Sequence, residues 1–219
     1  MKTFSCVLFD LDGTILNTND LIIKSFQHTL SRHLGLQLSD EEFYPYFGEP
    51  LRDTLARYDA NRVDELIATY RDFMYANHDE LIKVFPGIFE TMEALQKAGV
   101  TLGVVTSKLK MTSQWGLKLF GLDQFIRTCI TIEDVKNPKP HPEPIELALH
   151  QLSQGKEGAL MVGDSPYDLR CALNAGVSSA AVGWSVHPRE TLQEQKPHFV
   201  LGHFSDLLDI CGLKNNQER

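Results

Sequence analysis

The sequence predicts an α/β fold, a doubly wound parallel sheet interrupted after its first strand by an inserted helical cap. Two observations predict this fold class. From residue 86 onward, strand-like apolar runs alternate with helical patterns, and this alternation is typical of a parallel sheet covered by helices. Residues 17–82 instead carry only helical patterns, in which apolar residues recur every three or four positions.

The core strands are predicted from short apolar runs bounded by turn residues. The first run covers residues 6–9, and the later strands are predicted over residues 100–105, 128–131, 159–162, 179–182 and 198–201. Helices are predicted between them, and three of these end at a glycine, a common stop signal: Gly99, Gly121 and Gly176. A short helix is predicted over residues 206–210, and the polar tail 214–219 is expected to fray.

The helical patterns divide the chain into two predicted domains. Residues 1–16 and 83–219 form the predicted α/β core, and residues 17–82 form the predicted helical cap. Within the cap, Ser39 and Glu42 have the spacing of a capping box that opens a short helix. Two linkers, near residues 15–19 and 82–87, join cap and core, so the cap is expected to hinge as a lid.

Composition narrows the classes of partner. The formal net charge of −8 over 219 residues argues against a nucleic-acid or anionic membrane surface. An anionic substrate is compatible with this charge, because a bound divalent cation inverts the local field. The four cysteines show no disulfide or metal-ligand spacing, and no apolar run reaches membrane-spanning length. We therefore expect a cytoplasmic protein, a monomer or a weak dimer.

The first strand ends in two carboxylates, Asp10 and Asp12, followed by Gly13. Alternate residues of a strand point to the same side, so these carboxylates are expected to crowd together. Two like charges at such a distance are costly unless a cation lies between them or one holds a proton. A simpler interpretation is a strand that ends in an ordinary Asp-Gly turn.

Three further strands end in chemically capable residues. Thr106 and Ser107 follow the second core strand, Lys139 follows the third, and Asp164 and Asp168 follow the fourth. Ligands of doubly wound sheets bind beyond the carboxyl ends of the strands, so these side chains are expected to converge on one edge. Each has an ordinary alternative, such as a helix N-cap for Thr106 or a first-turn aspartate for Asp168. Their convergence is the stronger signal.

These motifs, in this order, resemble the haloacid dehalogenase (HAD) superfamily of phosphotransferases. The motifs are residues 10–14 (DLDGT), Thr106, the Lys-Pro stretch at Lys139, and residues 163–168 (GDSPYD). The HAD-like core with a helical cap is similar to the phosphoglycolate phosphatase-like branch. A closer likeness, to the PpaX-type inorganic pyrophosphatases, rests on three segments: residues 16–23 (LNTNDLII), 111–121 and 139–144 (KPHPEP). His141 and residues 165–167 depart from the pattern of those pyrophosphatases.

The resemblance implies roles for the residues at the strand ends. Asp10 is expected to attack phosphorus and form an aspartyl phosphate, and Asp12 to act as general acid and base. Asp10, the Asp12 carbonyl and Asp164 are expected to hold Mg²⁺, a cation that prefers oxygen ligands. Thr106, Ser107 and Lys139 are expected to bind the transferring phosphoryl group. Asp168 is expected to orient Lys139 or a metal-bound water.

In this family, residues of the cap choose the substrate. Gly48 and Arg52 lie in a stretch that resembles the substrate-specificity loop, and Lys24 is a second candidate cation. The alternative for this stretch is a turn between helices with a solvated arginine. The expected substrate is inorganic pyrophosphate, with phosphoglycolate or another small phosphomonoester as the alternative. A phosphomutase and a non-catalytic phosphate-binding module are less favoured alternatives.

Overall fold

A computed structural model describes residues 4–213, and the predicted tail 214–219 lies outside this range. Its strands are β1 (Cys6–Phe9), β2 (Leu16–Asn17), β3 (Lys83–Val84), β4 (Thr101–Val105), β5 (Ile126–Ile130), β6 (Ala159–Gly163), β7 (Ser178–Val182) and β8 (Phe199–Leu201). Its α-helices are α1 (Asn19–Leu34), α2 (Leu51–Ala56), α3 (Val63–Leu81), α4 (Ile88–Lys97), α5 (Lys110–Leu119), α6 (Glu143–Leu152), α7 (Pro166–Ala175), α8 (Arg189–Gln193) and α9 (Asp206–Ile210).

Six of these strands form one parallel sheet in the order β5-β4-β1-β6-β7-β8, which confirms the predicted fold class. Strand β1 lies between β4 and β6, and Phe9 is in register with Val104 and Val162. The carboxyl ends of these three strands therefore lie side by side. Strand β1 thus has a neighbouring strand on each side. In a doubly wound sheet, ligands bind beyond the carboxyl end of such a strand, where the strand order reverses.

The central strand is buried on both faces. Val7 and Phe9 belong to one apolar cluster, and Cys6 and Leu8 belong to another on the opposite face. Parallel strands covered on both sides read as continuous apolar runs, which explains the pattern of residues 6–9. This double burial holds the strand end rigidly against the rest of the core.

The cap has an apolar cluster of its own. Helices α1 and α3 pack together, and Phe26 of α1 contacts the rings of Phe43 and Tyr70 at centroid distances of 5.4 and 4.8 Å. The predicted capping box is present, with the Ser39 backbone N–H donating to Glu42 Oε2 at 2.7 Å. It opens a single 3₁₀ turn.

The segments that join cap and core pair with each other, which the helical patterns did not predict. Strands β2 and β3 are antiparallel, with Leu16 opposite Val84 and Asn17 opposite Lys83. Two-residue strands are too short to show a periodic pattern, so only the proximity of the two linkers reveals them. One predicted domain boundary falls within β2 and the other falls just before β3, and both stay a prediction. Helix α8 was likewise not predicted, and β5 begins two residues earlier than expected.

Among residues 4–213, none of the helices combines the length and the apolar character that crossing a bilayer requires.

Candidate active site

Asp10 is the first residue after β1, and the sheet holds its backbone. Its N–H donates to the carbonyl of Val162 at 2.9 Å, which continues the register between β1 and β6. The residue is only 6% exposed. Its Oδ1 accepts a hydrogen bond from Lys139 Nζ at 2.6 Å. One oxygen of a buried carboxylate is thus bound to a fixed cation, and the other has no such partner among the described residues.

Lys139 links Asp10, which follows β1, to Asp168, which lies in the first turn of α7. Its Nζ lies 2.6 Å from Oδ1 of Asp10, 2.6 Å from Oδ1 of Asp168 and 3.2 Å from the carbonyl oxygen of Val105. These three acceptors use all three ammonium hydrogens. Burial alone would lower the pKa of Lys139, but the Asp10 and Asp168 charges outweigh burial and raise this pKa above its ordinary value. The ammonium therefore stays charged.

Asp168 is both a helix cap and a partner of Lys139. Its Oδ2 accepts from the Ser165 N–H at 3.0 Å and from Ser165 Oγ at 2.6 Å, which completes a capping box at the start of α7. Its Oδ1 is bound to Lys139. The two interpretations offered by the sequence are thus compatible. Gly163 makes room for this arrangement, because a Cβ there would lie 2.3 Å from the Asp168 Cβ.

Asp164 follows β6 and is packed against the turn after β1. Its Oδ1 accepts from Thr14 Oγ1 at 3.0 Å, and its carbonyl accepts from Ser185 Oγ at 2.6 Å. Gly13 has φ +80°, and a Cβ on it would lie 2.3 Å from Asp164 Oδ2. Only glycine meets both requirements, the left-handed backbone and the close approach to the carboxylate.

The carboxylates of Asp10, Asp164 and Asp168 form one buried cluster, with one oxygen of each within 4.8 Å of the others. Burial raises the pKa of Asp10 to about 7, although the Lys139 charge opposes this shift. Burial, followed by the charges of Asp10 and Asp168, holds the pKa of Asp164 well above its usual range. Among the described residues, Lys139 is the cation that forms ion pairs with this cluster. Three ionised carboxylates facing one ammonium leave a charge of minus two, which a divalent cation would neutralise.

Asp12 is not one of the three carboxylates of that cluster, but its charge acts on Asp10 and raises the pKa of that carboxyl, and the expected crowding of Asp10 and Asp12 stays a prediction. Strand β1 ends at Phe9, so the two aspartates lie in the following turn and lose the alternation of a strand. Asp12 faces Lys108, whose Nζ lies 2.8 and 3.1 Å from its two carboxylate oxygens. Sequence reasoning missed Lys108. Its position, two residues after Thr106 at a strand end, was the signal that could have indicated it.

Thr106 and Ser107 follow β4 at the same edge. Helix α5 begins at Lys110 with Leu109 as its N-cap, so Thr106 does not cap a helix. Its Oγ1 instead accepts from the Lys108 N–H at 3.2 Å. The Ser107 Oγ is buried and has no hydrogen-bond partner among residues 4–213. Such an orphaned hydroxyl beside a cavity is available to a ligand.

A cavity of about 610 Å³ lies between the strand ends and the cap. From the core it is lined by Asp10, Asp12, Thr106, Ser107, Lys108 and Lys139, and from the cap by Gly48, Arg52, Asp64, Tyr70 and Arg71, among others. Asp164 and Asp168 do not line the cavity. They belong to the carboxylate cluster with Asp10, and Asp168 is bound to Lys139. The structure therefore brings the strand-end residues together at one edge of the sheet.

The predicted cap residues differ in their placement. Arg52 lines the cavity, is 58% exposed and forms an ion pair with Asp64. Gly48 has φ +87° and approaches the core rather than open cavity space, since a Cβ there would lie 2.6 Å from Ser165 Oγ. Lys24 is exposed and does not line the cavity, so the structure gives no support to its role as a cap cation.

Cap and core also meet beside Gly48. The ring nitrogen Nε2 of His187 lies 3.1 Å from the carbonyl oxygen of Phe47, at hydrogen-bonding distance. Burial lowers the pKa of His187, which favours the neutral ring. This contact and the approach of Gly48 to Ser165 hold the cap over the cavity.

Residues 7–182 match the family model of the haloacid dehalogenase-like hydrolases. The chain is 47% identical over 207 residues to the Pyrophosphatase PpaX of Anoxybacillus flavithermus, covering 94% of this chain and 96% of that protein. It is 43% identical over 213 residues to the Pyrophosphatase PpaX of Bacillus velezensis, covering 97% and 99%.

Solved structures agree with these relatives. A predicted phosphoglycolate phosphatase from Haemophilus somnus superposes with a TM-score of 0.85 at 26% identity, covering 96% of this chain and 99% of that one. The residues matched by the family model include Asp10, Thr106, Lys139 and Asp164. The chain therefore belongs to the haloacid dehalogenase-like hydrolases and is an enzyme of the phosphatase class.

Proposed function

We propose that this enzyme is a Mg²⁺-dependent phosphohydrolase that works through an aspartyl phosphate and hydrolyses inorganic pyrophosphate. The observation that carries the proposal is the buried cluster of Asp10, Asp164 and Asp168, which faces Lys139 at the floor of the cavity. The relatives named as pyrophosphatases support the substrate, because they match nearly the whole chain. The first step is attack by Asp10 on phosphorus.

The geometry around Asp10 suits a nucleophile. One of its oxygens is bound to Lys139, the other has no such partner among the described residues, and the residue lines the cavity. Attack splits one difficult displacement into two easier steps. Lys139 lies beside the phosphoryl oxygens as negative charge develops on them, and Thr106 and Ser107 supply hydrogen-bond donors on the other side. A preorganised site of this kind needs little rearrangement during reaction.

Asp12 is the proposed acid and base of the reaction. It protonates the leaving oxygen as the bond to phosphorus breaks, and it later takes a proton from the water that hydrolyses the aspartyl phosphate. Its carboxyl lines the cavity and pairs with Lys108, whereas Asp10 pairs with Lys139, so the two carboxyls have different environments. Different environments allow two carboxyls to perform different tasks.

The donor set fits a hard divalent cation. Asp10 and Asp164, with the backbone carbonyl of Asp12, would hold Mg²⁺, whereas both oxygens of Asp168 are already bound to Lys139 and Ser165. When bound, the ion supplies charge that neutralises the carboxylate cluster and polarises the phosphoryl oxygens. The four cysteines are free thiols, in keeping with a reducing compartment such as the cytoplasm.

Phosphate release with Mg²⁺ from pyrophosphate, phosphoglycolate and hexose phosphates tests the proposal. We expect pyrophosphate to give the highest kcat/KM and Asp10→Asn to lower it by at least about 10⁴-fold, because the nucleophile is lost. Circular dichroism of the variant is the control for folding. A higher kcat/KM for phosphoglycolate than for pyrophosphate would indicate that the substrate is a phosphomonoester.

Three other outcomes would contradict the proposal. Isomerisation of a hexose phosphate without phosphate release would indicate a phosphomutase. Tight phosphate binding without turnover would indicate a binding module. Full activity of Asp10→Asn would remove Asp10 from the nucleophile role.

A further inference from the structure

Lys108 lines the cavity and is partly buried, and the proposed mechanism gives this lysine no task. Its side chain is 9% exposed, and its Nζ lies 2.8 Å from Oδ1 and 3.1 Å from Oδ2 of Asp12. The two residues are 96 positions apart in the sequence and come from neighbouring strand ends. The contact is therefore made by the tertiary structure and not by a local turn.

The backbone of Lys108 is held on both sides. Its N–H donates to Thr106 Oγ1 at 3.2 Å, and its carbonyl accepts from the N–H of Ile132 at 3.3 Å. The turn after β4 is thereby tied to the segment after β5. A side chain that starts from a fixed backbone and is mostly buried loses little further freedom when it holds a partner, which suits it to precise positioning.

We propose that Lys108 is a positioning residue that holds the Asp12 carboxyl in line with the leaving oxygen. This inference rests on the proposed function, in which Asp12 is the acid. Because Lys108 contacts both carboxylate oxygens, it can keep a bond to one oxygen while the other carries the proton toward the leaving group.

A new bond forms between an Asp10 oxygen and phosphorus, and the bond between phosphorus and the leaving oxygen breaks. The leaving oxygen takes the proton of Asp12, which becomes a carboxylate facing the Lys108 ammonium. This ion pair is stronger after proton transfer than before it, so Lys108 also stabilises the charge that develops on Asp12 in the transition state.

A purely structural ion pair is the competing explanation of the contact. Removing Lys108 would then lower stability and would reduce turnover of every substrate by the same factor. A positioning role predicts something different, because its loss matters only where a proton must reach the leaving oxygen. p-Nitrophenolate is a weakly basic leaving group that departs without a proton, whereas phenolate is more basic and benefits from one.

The test compares Lys108→Met with wild type on phenyl phosphate and p-nitrophenyl phosphate, two esters of similar size. We expect kcat/KM for phenyl phosphate to fall by roughly 10–100-fold more than that for p-nitrophenyl phosphate, within the range of general acid catalysis. On pyrophosphate, kcat should fall while KM stays within about threefold. Lys108→Arg, which keeps the charge and the donors, should recover part of the loss.

Lys110→Met is the matched control. This lysine lies two residues away, is 53% exposed and pairs with Asp134 outside the cavity. It should keep wild-type activity on all three substrates. Calorimetric Mg²⁺ binding and the unfolding temperature of Lys108→Met separate damage to the metal site or fold from loss of positioning, and Lys108→Arg answers the question if Lys108→Met fails to fold.

The outcomes separate this inference from the proposed function. Equal fractional losses on the two aryl esters, or a loss confined to KM on pyrophosphate, would show that Lys108 is only structural, while the phosphohydrolase proposal would stand. A wild-type enzyme that hydrolyses none of the three substrates would overturn both. A larger loss on phenyl phosphate, with partial recovery in Lys108→Arg, would support the positioning role.

Discussion

The core side and the cap side of the cavity differ in how far their charged side chains are exposed to solvent. On the core side, the Lys139 side chain is 3% exposed and lies 2.6 Å from each of two buried carboxylates. On the cap side, Arg52 is 58% exposed and its partner Asp64 is 83% exposed. Water screens the cap pair and leaves it free to rearrange, whereas the core network is held by burial. We therefore expect the core side to hold the reacting groups and the cap side to make adaptable contacts with the substrate.

The largest effect is expected from a substitution at Gly13, which packs against Asp164 in the core. Gly13→Ala forces a side chain into a left-handed backbone and against Asp164 Oδ2. Strain and overpacking together predict a loss of about 2–4 kcal/mol in the free energy of unfolding. Displacing Asp164 should lower kcat/KM by roughly 100-fold. Denaturant unfolding and phosphate release measure the two effects.

Gly35→Ala is the control for Gly13→Ala. Gly35 also has a positive φ, +68°, but a Cβ there would meet nothing within 4 Å. It should lose only about 1 kcal/mol, from backbone strain, and keep its activity. Equal losses in the two variants would contradict the close packing of Gly13 on Asp164.

An intermediate effect is expected from pH on the metal-free enzyme. Burial raises the pKa of Asp10 to about 7, well above that of the unfolded chain. The folded state then binds more protons than the unfolded state between about pH 4 and 7, so stability falls as pH rises through this range. The difference should be on the order of 1–4 kcal/mol. Urea unfolding at pH 5 and 7.5 in the presence of a chelator measures it.

Two additions sharpen this pH experiment. Asp10→Asn removes the titrating group and should flatten the dependence, although Asp164, whose pKa is also raised by burial, keeps part of it. Saturating Mg²⁺ should also flatten it, because the cation favours the ionised carboxylates. Metal-free stability that rises from pH 5 to 7.5 would contradict the burial of uncompensated carboxylates.

The smallest effect is expected on the cap side of the cavity. Arg52→Ala removes a cation that lines the cavity but touches neither Asp10 nor Lys139. The KM for pyrophosphate should rise by about tenfold, because one solvent-screened charge contact with the substrate is lost. The kcat should stay within about threefold of the wild-type value. The unfolding temperature should stay unchanged, because exposed ion pairs add little stability.

Arg57→Ala is the matched cap control. Arg57 pairs with Glu49 and does not line the cavity, so both kinetic constants should keep their wild-type values. A fall in kcat of Arg52→Ala with no change in KM would show that Arg52 acts on the chemical step. The expected difference between the core side and the cap side of the cavity would then be contradicted.

The sequence by itself determined the sheet, the insertion and most of the strand-end residues. Buried parallel strands must be apolar along their whole length, so polar residues appear where a strand ends and mark the binding edge. This reasoning found Asp10, Thr106, Lys139 and Asp164 without knowledge of the strand order. The cap helices were found because an amphipathic stripe is a local pattern.

Only the tertiary structure decided which of these charges meet. The strand alternation that predicted Asp10 beside Asp12 ends at Phe9, and the turn beyond it directs Asp12 to Lys108 and Asp10 to Lys139. The β2–β3 ladder and the approach of Gly48 to Ser165 also join segments far apart in the sequence. Pairings of this kind depend on how strands and loops lie in space. A periodic pattern along the chain reports only local structure and therefore does not predict them.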